Sequence, residues 1–392
     1  MRSGAAESAG ELAVNSGKKT IRIYAIASLL NDLGSDMILP VWPLFVTSFA
    51  GANMAVLGFI DGLGEAIVSL SQAISGYCSD RLRKRKIFVV IGYLMGAISR
   101  IGYASAISWQ QLVPIKIFDR AGKIRSAPRD AVIADLSTAQ NRGKNFGLLR
   151  AMDNLGALLG IILSIILIQF MGYTTIFLLA AIPSVFASLL IFNRIKEAKP
   201  SVSRIFKGLR FKDLSRDFRI FLILSILFAL ASFSYSFLMI YARDSGYADS
   251  TVPILYLVFT AFAFLGSIPF GRQSDRIGRK KVLYIAYIFW MAACVLVILK
   301  PPHLFIILTF VLYGLHRGAL ETVQRAFVAE LCPEEYRASS LGGYQMVVGL
   351  CALPGSFLAG LLWERVSIYA PFYFSLVLTA TACGLLVLIK KE

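Results

Sequence analysis

Inside stretches that are otherwise apolar, the chain places acids and bases at helical spacing. Asp32 shares a helix face with Asp36, Asp61 with Glu65, and Arg150 with Asp153 and Asn154. Asn31, Arg120, Lys123, His316, Arg317 and Glu321 interrupt other apolar runs. A charge at membrane depth is costly unless paired or hydrated, so these residues mark a water-accessible path. The chemistry they can do is partner exchange: a pair such as Arg120 with Asp32 can be traded for a charged solute or a proton. The same two residues also fit a permanent ion pair that sets helix packing. His316 fits a proton shuttle and equally a hydrogen-bonded core residue. Tyr235 and Tyr256, with Ser232, Ser234 and Ser236 nearby, offer an aromatic and hydroxyl wall, although small serines also ease close helix contact.

Long apolar helices must hold these groups. The chain is 57% hydrophobic and 16% charged, with a mean hydropathy of +0.69, and its apolar residues come in runs of about 20, the length of a membrane span. Twelve spans are predicted, near 21–47, 54–78, 86–108, 111–136, 143–169 and 172–193, then 218–243, 251–271, 281–299, 303–329, 340–363 and 370–389. The fold class is all-α integral membrane. Residues 1–20 lack an apolar core and are expected to form a disordered tail without a cleavable signal, while 194–217 reads as a basic linker with an amphipathic stretch at Ile205–Arg210. That leaves a six-helix bundle over 21–193 and a second over 218–392. At about 1.5 Å per residue, Asn31, Asp32, Glu65, Arg120, Lys123, Asp153, Asn154, His316 and Arg317 fall near the midplane, and Asp36 and Asp61 lie further out.

The net charge of +17 would suggest nucleic acid in a soluble chain, but here the cations crowd into short turns. Turns on one side hold 22 Lys and Arg, against Arg243, Lys300 and Arg365 on the other, which places both termini and the linker in the cytoplasm. Trp42, Trp109 and Trp363 are then expected at the outer interface. Cys78, Cys294, Cys332, Cys351 and Cys383 show no paired spacing and read as free thiols. No phosphate-cradling loop, HExxH or CxxC cluster is present, so no catalysis, metal or cofactor is expected.

The halves repeat. Gly76-x-x-x-Asp80-Arg81 returns as Gly271-x-x-x-Asp275-Arg276, 195 residues later, and at that offset Asp135 aligns with Glu330 and Arg142 with Arg337. Arg81 and Arg276 are placed to pair with Asp135 and Glu330 in a cytoplasmic latch.

With these motifs the chain resembles the major facilitator superfamily over essentially all of 20–392. The stretch from Gly271 to Lys281 is a near-complete copy of the superfamily's loop signature, while the earlier copy has Arg83 where Gly is usual. Asp119 to Ala131 is similar to a prokaryotic subgroup carrying Asp-Arg-x-Gly-Lys-Gly-x-Arg-x-x-Pro-Arg-Asp-Ala, but lacks one Gly after Lys123. Within a helix that deletion rotates the residues after it by about 100°.

The resemblance implies two pseudo-symmetric six-helix bundles and a secondary active transporter working by alternating access. A mixed acidic and basic site suits a small polar, charged or zwitterionic organic solute, with proton coupling as its energy source. An exporter of amphipathic drugs or of a metal chelate such as a siderophore is the alternative, and a non-transporting sensor is a further one. The expected partners are the small-molecule substrate, protons and the lipid bilayer, with no nucleic acid. A monomer in a prokaryotic inner membrane is expected.

Overall fold

A computed structural model describes residues 2–138, 141–197, 214–300, 302–332 and 337–390. The predicted amphipathic stretch of the linker lies outside them. Every regular element among the described residues is helical. The first part of the chain holds α1 (Arg2–Asp36), the short α2 (Trp42–Leu44) running into a wide π turn (Phe45–Phe49), α3 (Met54–Leu82) and α4 (Lys86–Ser105). Then come α5 (Trp109–Ala121), a 3₁₀ turn (Gly122–Arg125), α6 (Ser126–Asp135), α7 (Arg142–Leu167) and α8 (Tyr173–Arg194). The later part holds α9 (Arg216–Ala231), α10 (Ser236–Asp244), α11 (Val252–Ile277), α12 (Arg279–Ile298), α13 (His303–Leu331), α14 (Arg337–Arg365) and α15 (Ala370–Val387).

Ten of the twelve predicted spans are helices long and apolar enough to cross a membrane, counting α9 with α10 as one. The remaining two, the first with Asp32 and Asp36 and the fourth with Arg120 and Lys123, are both interrupted. Pro40 has no N–H to give the Asp36 carbonyl, so α1 stops at Asp36. The seventh span breaks at the equivalent place, α9 ending at Ala231, again 195 residues on. No proline lies there; instead Ser234 accepts the Ser236 N–H at 3.2 Å, a side-chain bond that competes with helical pairing. At the amino end α1 continues back to Arg2, where the sequence predicts an irregular tail; alanines and glutamates among residues 5–13 are strong helix formers.

Contacts group the chain differently from the sequence repeat. One compact unit comprises Met1–Leu39, Leu70–Ala106 and Pro114–Ile205; the other comprises Pro40–Ser69, Ile107–Val113 and Phe206–Glu392. Inside the first unit, α7 lies directly on α1. A Cβ on Gly156 would stand 2.3 Å from the Leu29 carbonyl oxygen, and one on Gly160 2.3 Å from that of Leu33, so only glycine permits this approach. Inside the second, α3 reaches α14 in the same way, a Cβ on Gly58 falling 2.1 Å from the Ser356 carbonyl oxygen. Such backbone contacts bind 40–69 into that unit.

Candidate functional site

In the first unit the governing group is Arg100, 1% exposed on α4. It donates to the carbonyl oxygens of Ala180 (2.9 Å) and Asn31 (3.3 Å) and to the hydroxyls of Ser35 (2.7 Å) and Ser184. Ser184 in turn donates to the Asn31 side chain at 2.9 Å. Asn31 and Ser35 therefore face α4 and α8, which turns the adjacent face of α1, with Asp32 and Asp36, another way. Asp32 accepts from Asn31 Nδ2 at 2.9 Å. In the sequence Arg100 is only an isolated charge in its span; its neutral hydroxyl and carbonyl partners leave no signal there.

The fourth span tightens at Gly122–Arg125. Four 3₁₀ residues turn the chain about 80° further than four α residues and lengthen it by about 2 Å, which re-aims the side chains that follow. The side chains then part. Arg125 is buried with its guanidinium 5.4 Å over the Tyr93 ring and donates to the Gly122 carbonyl at 2.9 Å. Lys123 is half-buried and acts electrostatically on Asp32 and Asp36, with no ion pair among the described residues. Arg120 acts on Asp36 and lies 3.6 Å from Asp119.

Further along the same span a closed ring forms. Arg129 contacts Asp130 at 3.1 Å and Asp153 at 3.4 Å, and Arg150 contacts the same two acids at 2.9 and 3.1 Å. Ser28 donates to Asp153 and accepts from Arg129. Each arginine bridges both acids, so Asp153, predicted as a substrate or proton residue, ties α6 and α7 to α1. Asn154, beside it, is exposed.

In the second unit Asp61 accepts Nε1–H of Trp42 at 2.8 Å and the hydroxyls of Ser234 and Ser236 at 2.7 and 2.5 Å. Trp42 is thus 1% exposed, and Trp363, 7% exposed, packs against Phe237 and Phe372. Tyr235 meets Tyr256 edge-on at 4.9 Å, and Phe259 extends this aromatic group to Tyr313 at 4.8 Å. Glu65 is exposed, and Arg317 pairs with Glu321 one turn along α13.

His316 is a core residue. Its ring is 1% exposed among Phe228, Trp290 and Tyr313, and Nδ1 lies 2.8 Å from the Ala286 carbonyl, which can only accept, so that nitrogen carries the proton. The buried, fixed ring does not suit a shuttle. His316→Asn, which keeps an N–H near the same carbonyl, is expected to leave transport within a few-fold of the parent, measured as initial uptake rate in reconstituted vesicles.

The basic turns close within their own units, through different residues from those predicted. Asp135 pairs with Arg85, which also contacts Asp80 at 3.1 Å, and Glu330 pairs with Arg279 at 2.6 Å. Arg81, Arg142, Asp275 and Arg276 are exposed, without ion pairs among the described residues. The side chain of Arg337 lies outside the described ones. The cause is a left-handed residue, Arg83 at φ 53° and Gly278 at φ 94°, which reverses the chain so that the next cations, opening α4 and α12, face the acids. Arg83 adopts the turn that glycine makes in the second copy. Gly76 faces Ala127 and Gly271 faces Thr322, the repeat-equivalent neighbour.

The description "Major Facilitator Superfamily" belongs to the family model that matches residues 24–248 and 220–392. An uncharacterized MFS-type transporter of Methanocaldococcus jannaschii is 37% identical over 380 residues, 94% of each chain. Multidrug resistance protein 1 of Bacillus subtilis is 24% identical over 386 residues, 93% of this chain and 95% of that one. Among solved structures, a mutant of the nucleoside transporter NupG superposes with a TM-score of 0.80 at 13% identity, covering 95% of this chain and 100% of the other. With a family model spanning both parts of the chain and a relative of 37% identity along almost its whole length, the chain belongs to the Major Facilitator Superfamily of membrane transporters.

Proposed function

We propose that the chain is a secondary active transporter for a small organic solute that is charged or zwitterionic, working by alternating access and driven by a proton gradient. The observation that carries this reading is the contrast within the first unit. Arg129, Arg150, Asp130 and Asp153 satisfy one another, whereas Lys123 stands near Asp32 and Asp36 without pairing to either. A cation and two carboxylates left open in one place suit a solute that presents both an acid and an amine. The aromatic group around Tyr235 and Tyr256 favours a second reading, export of an amphipathic compound. The basic turns support cytoplasmic termini in a prokaryotic inner membrane.

Purified protein in proteoliposomes with an imposed pH gradient is the test, using radiolabelled amino acids, dipeptides, nucleosides and sugars beside a lipophilic fluorescent cation. Accumulation of a zwitterion that a protonophore abolishes is expected. Movement of the lipophilic cation alone favours export, and movement of no solute removes the proposal.

A further inference from the structure

We propose that the end of the α4–α8 pair beside the first basic turn is a seat for one anionic phospholipid. Cations of both helix ends hold its phosphate, and its acyl chains lie along the apolar flank of the same two helices. This goes beyond the transport reading and does not depend on it. The two ends are locked together: Lys86 Nζ donates to the Phe192 carbonyl at 2.8 Å and lies 5.2 Å over the Phe192 ring, while Glu197 accepts the Arg85 and Lys86 amides at 2.6 and 3.1 Å. The last turn of α8 is thereby fixed against the first turn of α4, and the Glu197 carboxylate is spent on the amino end of α4.

Around that join stand Arg81, Arg83, Lys84, Arg194 and Lys196, all exposed and without ion pairs among the described residues. Lys86 has further N–H groups to give. Cations crowded in this way repel one another, and a bound anion relieves them. The surface below them favours a lipid over a soluble phosphate. Ile87 and Ile91 on α4 are exposed, as are Leu189 and Phe192 on α8. Ser188 Oγ donates to the Val90 carbonyl at 3.1 Å, which keeps the helices in contact one turn further along. An apolar flank that begins at the cations and leads away from them is what a headgroup with acyl chains requires. The second copy of the turn is poorer. At the offset of 195, Gly278 stands for Arg83 and Ile389 for Arg194, and Arg279, in place of Lys84, is held by Glu330 at 2.6 Å. Arg276, Lys281 and Lys390 stay exposed there.

Native mass spectrometry of the purified protein in detergent tests the seat, with phosphatidylglycerol and phosphatidylcholine of identical chains as probes. The first phosphatidylglycerol is expected to bind about tenfold more tightly than the first phosphatidylcholine. Lys84→Gln/Arg194→Gln changes two exposed side chains and is expected to remove most of that difference. Arg276→Gln/Lys281→Gln, an equal change of charge in the second copy, is expected to keep it. Excess inorganic phosphate is expected to leave the lipid in place. Equal affinity for the two lipids, or equal loss in the two double variants, reduces the cluster to general surface attraction and overturns the proposal. Displacement by inorganic phosphate overturns it in favour of a soluble anion.

Discussion

Lys123→Gln is expected to weaken apparent affinity for the accumulated solute by about 30- to 150-fold, the loss of one charge-assisted hydrogen bond worth about 2–3 kcal/mol. Lys123 differs from the neighbouring cations in being uncommitted. Three buried arginines of the first unit are occupied, Arg100 by four neutral acceptors, Arg125 by a carbonyl and a ring, and Arg129 by two acids. Lys123 has no such partner among the described residues. Under the proposed function a solute carboxylate is the expected partner of Lys123, and Asp32→Asn is expected to cost a similar factor through the amine. Uptake against concentration in proteoliposomes checks both. If Lys123 and Asp32 only support packing, each change alone lowers protein yield while affinity stays put, and the double variant recovers it.

Arg100→Met is expected to be the most damaging single change to folding, by about 3 kcal/mol or more. It leaves the Ala180 and Asn31 carbonyls and the Ser35 and Ser184 hydroxyls without their charged donor in a site closed to water. It also frees α1 to rotate, misplacing Asp32 and Asp36. Cys294 and Cys332 are buried free thiols, so the rise in labelling by a thiol-reactive dye during heating, above the native level given by the half-buried Cys78, Cys351 and Cys383, reads unfolding. A midpoint several degrees below the parent is expected for Arg100→Met. Arg150→Ala, whose side chain is 51% exposed, should shift it little. Equal midpoints for the two variants would show that the Arg100 bonds are incidental.

Much of the architecture was legible in the chain because it rests on local, additive properties. Apolar runs of span length located ten helices directly, and the other two spans carry Asp32, Asp36, Arg120 and Lys123, four of the residues that suggested a site. The basic turn repeated at one offset, and even its irregular copy kept the left-handed residue, with Arg83 standing where Gly278 does. The break at Pro40 has a visible cause. The matching break after Ala231 does not, since only serine hydroxyls mark it.

Satisfaction of charge was not legible. Asp135 selects Arg85 and not the nearer-looking Arg81, Asp153 closes a ring with residues of α6, and His316 points into an aromatic core. Asp61 finds donors 19, 173 and 175 residues away. By itself the sequence determined a two-part, all-helical membrane chain with its cations gathered on one side, because hydropathy and loop charge add up residue by residue. Which of its buried charges are spent on packing and which stay open was decided only by the tertiary structure. Hydrogen bonds and ion pairs act over a few ångströms, and the groups that meet at that range belong to helices distant in the chain.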